Sequence, residues 1–294
     1  MEFRGLFNVN LKKPQKNKNS FEKPRVGHIK FLNCFPIYYG LVKNLDINDM
    51  EFIPGSPTEL NQMIYENKLD ISPVSSIEYL KNQEKYLLCP HISVSSNGSV
   101  KSILLLSKLP VKKLDGEKVA LTSDSATSHV LLKIILETKY AIRPKYYVSN
   151  SNLDDMLKEA KAGLLIGDKA LEESLKLNGL YRYDLGEEWK SMTKKKMVYA
   201  VWCIRKEFVK NNPDAAKKLM CSFKNSYEYS VKNIPEIAGS ASTWDKFDEE
   251  FIKKYLSELD FSFDKNAREG LMDFYNMANE IGLVKGKGKL EFFE

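Results

Sequence analysis

The side chains best placed for chemistry in this sequence are amides and hydroxyls, gathered where strands give way to helices. The stretch RVGHIKFLNCFPIYYGL, Arg25 to Leu41, opens as a buried strand and breaks at Asn33, Cys34 and Pro36. Asn is at home where a strand stops. It is also suited to hydrogen-bond a ligand where a crevice opens at strand ends. In PVSSIEYL, Ser75 with Glu78 fits the Ser-x-x-Glu capping box, so Ser75 and Ser76 read equally as helix caps or as ligand hydroxyls. LTSDSATSHVLL carries hydroxyls at Thr122, Ser123, Ser125, Thr127 and Ser128, around Ala126. One cap needs one hydroxyl. Such a cluster, opening a helix with free backbone N–H groups, points to an anion site. LLIGDKAL places Gly167 and Asp168 at another strand end, where Asp168 reads as a cap. In SVSSNGSVKSILLLS, Asn97–Gly98 marks a turn and Ser102 starts the strand after it. A strand serine is ordinarily satisfied by backbone, but a strand crossing between two lobes would put Ser102 on a cleft floor.

What is missing narrows the chemistry. There is no Gly-x-Ser-x-Gly elbow, no phosphate-binding Walker loop and no dinucleotide fingerprint. Cys34, Cys89, Cys203 and Cys221 form no Cys-x-x-Cys pair and are expected as reduced, mostly buried thiols. His28, His91 and His129 lack metal-ligand spacing, so neither metal nor cofactor is expected. A site of Asn and Ser/Thr, poor in titratable groups, suits holding an anion rather than attacking one. That leaves a binding protein, or an enzyme whose substrate supplies much of its own reactivity.

The elements that must position these residues alternate. From Val26 on, short apolar strands (VGHIKFL, LDISPV, VKSILLLSK, KVALTS, PKYYVS, GLLIGD) alternate with amphipathic helices (TELNQMIYEN, SHVLLKIILETKY, NLDDMLKEAKA). This is the pattern of parallel or mixed sheets covered by helices. After the strand-like KMVYAVWCIRK the chain turns almost wholly helical, with Asn212–Pro213 as a start signal. The expected fold is α/β and two-lobed, of the periplasmic-binding-protein-like type II kind, with a ligand cleft between lobes and a helical C-terminal segment. The expected division is a flexible basic tail over 1–23, lobe one over 24–106 plus 201–294, and lobe two over 107–200.

Composition fits this reading. The chain has 294 residues, 43% hydrophobic and 29% charged, as in ordinary globular proteins. Most of its net charge of +6 sits in the first 25 residues, where five Lys and two Arg face Glu2 and Glu22. The remainder is close to neutral, which argues against a nucleic-acid partner. The N-terminal segment lacks the apolar run and cleavage site of a secretory signal. No stretch approaches the roughly 18 apolar residues of a membrane helix. A cytoplasmic protein without a membrane partner is expected; the oligomeric state is left open.

Taken together, RVGHIKFLNCFPIYYGL, LDISPVSSIEYL, NGSVKSILLLS, LDGEKVALTSDSATS, LLIGDKAL, YDLGEEWKSMT and VYAVWCIRKEF resemble the chorismate dehydratase family of the futalosine route to menaquinone, over about Arg25 to Phe263. Each segment alone is weak; the set in register is specific. The resemblance implies a hydro-lyase that removes water from chorismate to give 3-(1-carboxyvinyloxy)benzoate. It implies Asn33 and Ser102 as the catalytic pair; the strand-to-helix turns are expected to bind the substrate through Ser75, Ser76, Ser123, Ser125, Ala126, Thr127, Ser128, Gly167 and Asp168. The family usually has an apolar Gly-Leu-Pro-Phe where Lys194–Met197 stand here, a departure that bears on the local cleft wall more than on the activity; its effect there is left open. The rival readings are a solute-binding protein of the same fold, and the sister enzyme that cleaves a cyclic futalosine derivative.

Overall fold

The computed structural model describes residues 23–44, 49–176 and 179–294. The expected tail, 1–23, therefore lies outside the described residues except for Lys23. In chain order the strands are β1 (Arg25–Ile29), β2 (Glu51–Gly55), β3 (Ile71–Ser75), β4 (Tyr86–Ser96) and β5 (Ile103–Ser107). They continue as β6 (Lys118–Thr122), β7 (Lys145–Ser149), β8 (Ala162–Ile166), β9 (Tyr181–Asp184), β10 (Met197–Arg205) and β11 (Leu259–Ser262). They form a six-stranded sheet, β11-β4-β10-β3-β1-β2, and a five-stranded sheet, β7-β6-β8-β5-β9. In the first, β1 runs parallel to β2 and β3, and β10 lies antiparallel between β3 and β4. In the second, β6 is parallel to β7 and β8, and β5 is antiparallel to β8 and β9.

The chain passes between sheets at 97–102 and again at 185–196. Both crossings come a few residues before the boundaries read from the sequence, at 106/107 and 200/201. The Asn97–Gly98 turn already ends β4, so β5 belongs wholly to the second sheet, and β10 belongs to the first from Met197 on. Every residue of β5 (ILLLS) and of β8 (AGLLI) is buried, which is why these strands read as continuous apolar runs instead of alternating ones.

The helical C-terminal segment fixes the first sheet's covering layer. Helix Pro213–Lys232 lies against helix Phe35–Asn44, where the buried Ser226 and Ser230 hydroxyls donate to the carbonyls of Ile37 and Pro36. Pro213 takes the first helical position as expected, although the Asn212 side chain makes no capping bond. At the sheet's far end the buried Asp70 carboxylate accepts from Arg25 N (2.8 Å), Nε (3.0 Å) and Nη2 (2.8 Å), and from Arg205 Nη2 (2.7 Å). Burial works to raise its pKa, but the hydrogen bonds from the two arginines hold it below the usual carboxylate range. This clamp therefore contributes stability above about pH 4 and loses it as pH falls through the depressed folded value. No helix among the described residues is long and apolar enough to cross a membrane.

Candidate functional site

The ends of β1, β3 and β8 and the start of β5 meet around one cavity of about 60 Å³. Its polar lining comes from Asn33, Ser75, Ser102, Ser125 and Tyr199. Asn33 stands in a tight turn in which Cys34 N donates to Phe31 O (3.0 Å) and Phe35 N to Leu32 O (3.3 Å). Ser102 follows Lys101, whose φ is 57°. Its carbonyl accepts from Gly167 N at 2.8 Å. Asn33 Oδ1 and Ser102 Oγ are both buried, and neither has a hydrogen-bond partner of normal geometry among the described residues. Burial pushes the phenol of Tyr255 up, and the neighbouring Ser102 hydroxyl only partly offsets that. Buried polar atoms are almost always paired. Two such atoms on residues that line one cavity make it the candidate site.

The crossing segment that carries Ser102 is held by a residue the sequence reading passed over. The Asp184 carboxylate accepts from Ser99 Oγ (2.7 Å), Val100 N (3.0 Å) and Lys101 N (2.7 Å). It also caps the next helix, Leu185–Thr193, through Gly186 N (2.9 Å) and Glu187 N (3.2 Å). One carboxylate thus ties both crossings together. Gly186 allows this contact, since a Cβ there would lie 2.3 Å from Gly98 O. The Asp-x-Gly-Glu spacing was readable as a helix start; its long-range partners were not.

The other expected site residues separate into different tasks. Ser75 lines the cavity but forms no capping box: Asn61 Nδ2 donates to its Oγ (2.9 Å), and its N–H donates to Asn61 Oδ1 (3.0 Å). The box that does form is Ser56 with Glu59, at the head of helix Pro57–Tyr65. Ser76 donates to Val198 O at 2.8 Å, away from the cavity lining. Of the hydroxyl cluster only Ser125 lines the cavity, and it accepts from Ser128 N at 3.2 Å. Thr127 Oγ1 is buried and accepts from Ile77 N at 3.3 Å. Ser128 Oγ is buried without a partner among the described residues. Ala126 begins helix Thr127–Ile134. Ser123 Oγ donates to Asp124 at the surface (3.2 Å), and its carbonyl accepts from Thr58 Oγ1 (3.0 Å). Gly167 lines the cavity. Asp168 does not cap its own helix, because it lies inside the first turn, and Oδ1 instead accepts from Leu32 N at 3.2 Å.

The Lys194–Met197 departure is absent from the cavity lining. Lys195 pairs with Glu269, and Lys196 with Asp260 and Asp264 on the C-terminal segment. Met197 is buried. Lys195 and Lys196 are thus held by ion pairs to the C-terminal segment, and none of the four residues lines the cavity.

Contacts that bridge the two sides near the cavity include Thr58 to Ser123, Leu32 to Asp168, Ile77 to Thr127 and the Lys246–Glu172 ion pair. With a space so much smaller than the ~300 Å³ or more of usual small-molecule sites, the cleft is in a closed form. No charged side chain lines it among the described residues. Burial pushes the Cys34 thiol and the Tyr199 phenol up, so both stay neutral.

Burial also pushes Asp168 up to about 6, with Asp245 adding to the shift. A carboxyl with a raised folded pKa gains a proton in the native state first, so its penalty is present above about pH 6 and fades as pH falls. Asp168→Asn should therefore melt above wild type at pH 8, and the advantage should shrink as pH drops through 6. A difference in melting temperature that is flat with pH would remove Asp168 from this role.

A two-lobed frame with the cavity at the seam and a helical return segment is the periplasmic-binding-protein-like fold. A protein of Archaeoglobus fulgidus shares it at a TM-score of 0.73 and 18% identity, covering 89% of this chain and 98% of that one. The periplasmic aliphatic sulphonate binding protein SsuA of Escherichia coli shares it at 0.60 and 14%, covering 94% of each. Within that fold the chain belongs to the menaquinone biosynthesis family, whose model matches residues 24–280. It is 28% identical to the chorismate dehydratase of Thermus thermophilus over 88% of this chain and 95% of the relative. Among the described residues no cluster of His, Cys, Asp or Glu could hold a metal ion, and all four cysteines are free, with Cys34, Cys89 and Cys203 buried.

Proposed function

We propose that this protein is a cytoplasmic chorismate dehydratase, a hydro-lyase acting on chorismate without metal or cofactor. The observation that carries this reading is the orphan pair: Asn33 Oδ1 and Ser102 Oγ, buried and facing one cavity. Similarity to the Thermus thermophilus enzyme supports the choice of substrate.

Chorismate carries two carboxylates and a hydroxyl at C4. Elimination takes the proton from C3 and the hydroxyl from C4, releases water and leaves an aromatic ring, so much of the driving force lies in the substrate. Among the described residues no His, Lys, Asp or Glu lines the cavity to act as base. The substrate's own enolpyruvyl carboxylate takes the C3 proton. Asn33 Oδ1 accepts a hydrogen bond from the C4 hydroxyl, and the Ser102 hydroxyl donates to charge as it develops, in the manner of an oxyanion hole. The closed cleft supplies orientation and excludes water. Admission of the ring requires the bridging contacts of Thr58, Leu32 and Lys246 to part.

Purified protein incubated with chorismate should produce the aromatic absorbance of 3-(1-carboxyvinyloxy)benzoate. Chorismate that is bound but never converted would instead indicate a solute-binding protein, and turnover of a cyclic futalosine derivative alone would indicate the sister enzyme. Within this reading Ser125 and Thr127 separate. Ser125→Ala should weaken chorismate binding by roughly ten- to a hundredfold, the worth of a hydrogen bond to a charged group, about 1.5–3 kcal/mol. Thr127→Ala should spare binding and lower stability by about 1–3 kcal/mol, because it strands the buried Ile77 N–H. Titration calorimetry and thermal melting read the two effects apart; a reversed pattern would exchange the roles.

A further inference from the structure

Phe31 lines the cavity beside Asn33 and is only partly buried. The seat of its ring is specific. Gly167 has φ +60°, and a Cβ built on it would lie 3.2 Å from each of Cδ1, Cδ2 and Cε1 of Phe31. Three carbons of one ring are equally near a single point only when that point lies on the axis normal to the ring. The Gly167 backbone therefore backs one face of the phenyl ring, while its N–H donates to Ser102 O. Phe31 and Gly167 both line the space that Asn33 and Ser102 share.

We propose that Phe31 is a stacking plate for a planar six-membered ring bearing a carboxylate, and that position 167 is glycine so that the plate can lie flat. The inference takes its substrate from the reading above and adds a determinant of specificity. Dehydration turns a puckered diene into a flat aromatic ring, and offset stacking favours the flat one. The plate accordingly holds the aromatic product more tightly than the substrate, and it discriminates against acyclic acids that the hydroxyls alone would accept. Gly167 links the two functions, since one residue supports the plate and anchors the strand that presents Ser102.

The test compares wild type, Phe31→Leu and Phe31→Tyr by steady-state turnover of chorismate and by calorimetric binding of 3-(1-carboxyvinyloxy)benzoate, with melting temperature as the check on folding. Phe31→Leu should weaken product binding about tenfold, raise KM by less, and change kcat by no more than about threefold. Phe31→Tyr keeps the flat face and should stay within about twofold of wild type in both measurements. Unchanged product affinity in Phe31→Leu would overturn the proposal. So would a loss in Phe31→Tyr equal to that in Phe31→Leu, because a bare requirement for volume or fold would then explain both. A wild type that binds the aromatic acid through Phe31 yet leaves chorismate intact would sustain the plate and refute the reaction.

Discussion

Asn33→Ala and Ser102→Ala should each lower chorismate turnover by on the order of 10²–10³, the usual cost of removing one preorganised hydrogen-bonding group from a site where charge develops. Neither should destabilise the free protein. Asn33 Oδ1 has no partner among the described residues, and Ser102 Oγ has only the Tyr255 hydroxyl beside it, outside normal hydrogen-bond geometry. Truncation therefore removes a desolvated polar group and breaks no hydrogen bond of normal geometry. Such a change is neutral or stabilising in the unliganded state. The combination is diagnostic: activity falls while the melting temperature holds or rises, as expected where a site trades stability for function. Asn33→Asp should be worse than Asn33→Ala for binding, since it sets a negative charge beside a dianion in a cavity with no cationic side chain among the described residues. Alanine variants that melt well below wild type would show that the two side chains are structural.

The second large effect belongs to Asp184. Asp184→Ala leaves Val100 N, Lys101 N, Gly186 N and Glu187 N without their acceptor. Several charge-assisted bonds are lost at once, so the cost should be roughly 3 kcal/mol or more. Melting would show it as a drop of many degrees. Asp184→Asn keeps one acceptor oxygen and can serve the crossing strand or the helix cap, but not both. It should fall between wild type and Ala. Because the same carboxylate fixes the segment that leads into Ser102, both variants should also lose turnover. If Asp184→Ala melts and turns over like wild type, the crossings are held by other contacts.

The difference between what was and was not legible in the sequence follows from the reach of each interaction. Strand and helix alternation is local, and the all-apolar β5 and β8 could be read directly from burial on both faces. Asn33 and Ser102 drew notice by position, one where a strand stops and one where a crossing strand starts, but only the family resemblance made them a pair. Ser75 misled because the capping-box spacing is local while the bond that wins, to Asn61, comes from an earlier helix. The hydroxyl cluster misled for the same reason: Thr127 is taken by Ile77 N, and of the group only Ser125 reaches the cavity. Spacing shows which groups can donate or accept, whereas tertiary structure decides which of them are already used. Phe31 gave no signal at all, since a strand-end Phe reads as core until the missing Cβ of Gly167 is seen beneath it.

The most direct measurement is a proton NMR time course of chorismate with wild type and with the Asn33→Ala/Ser102→Ala double variant side by side. With wild type the C3 proton signal should disappear as aromatic protons of 3-(1-carboxyvinyloxy)benzoate grow in, while the double variant should keep its fold and leave chorismate intact over the same period. A wild type that binds chorismate and returns it unchanged, or a double variant that makes product at the wild-type rate, would contradict the assignment of dehydration to this pair.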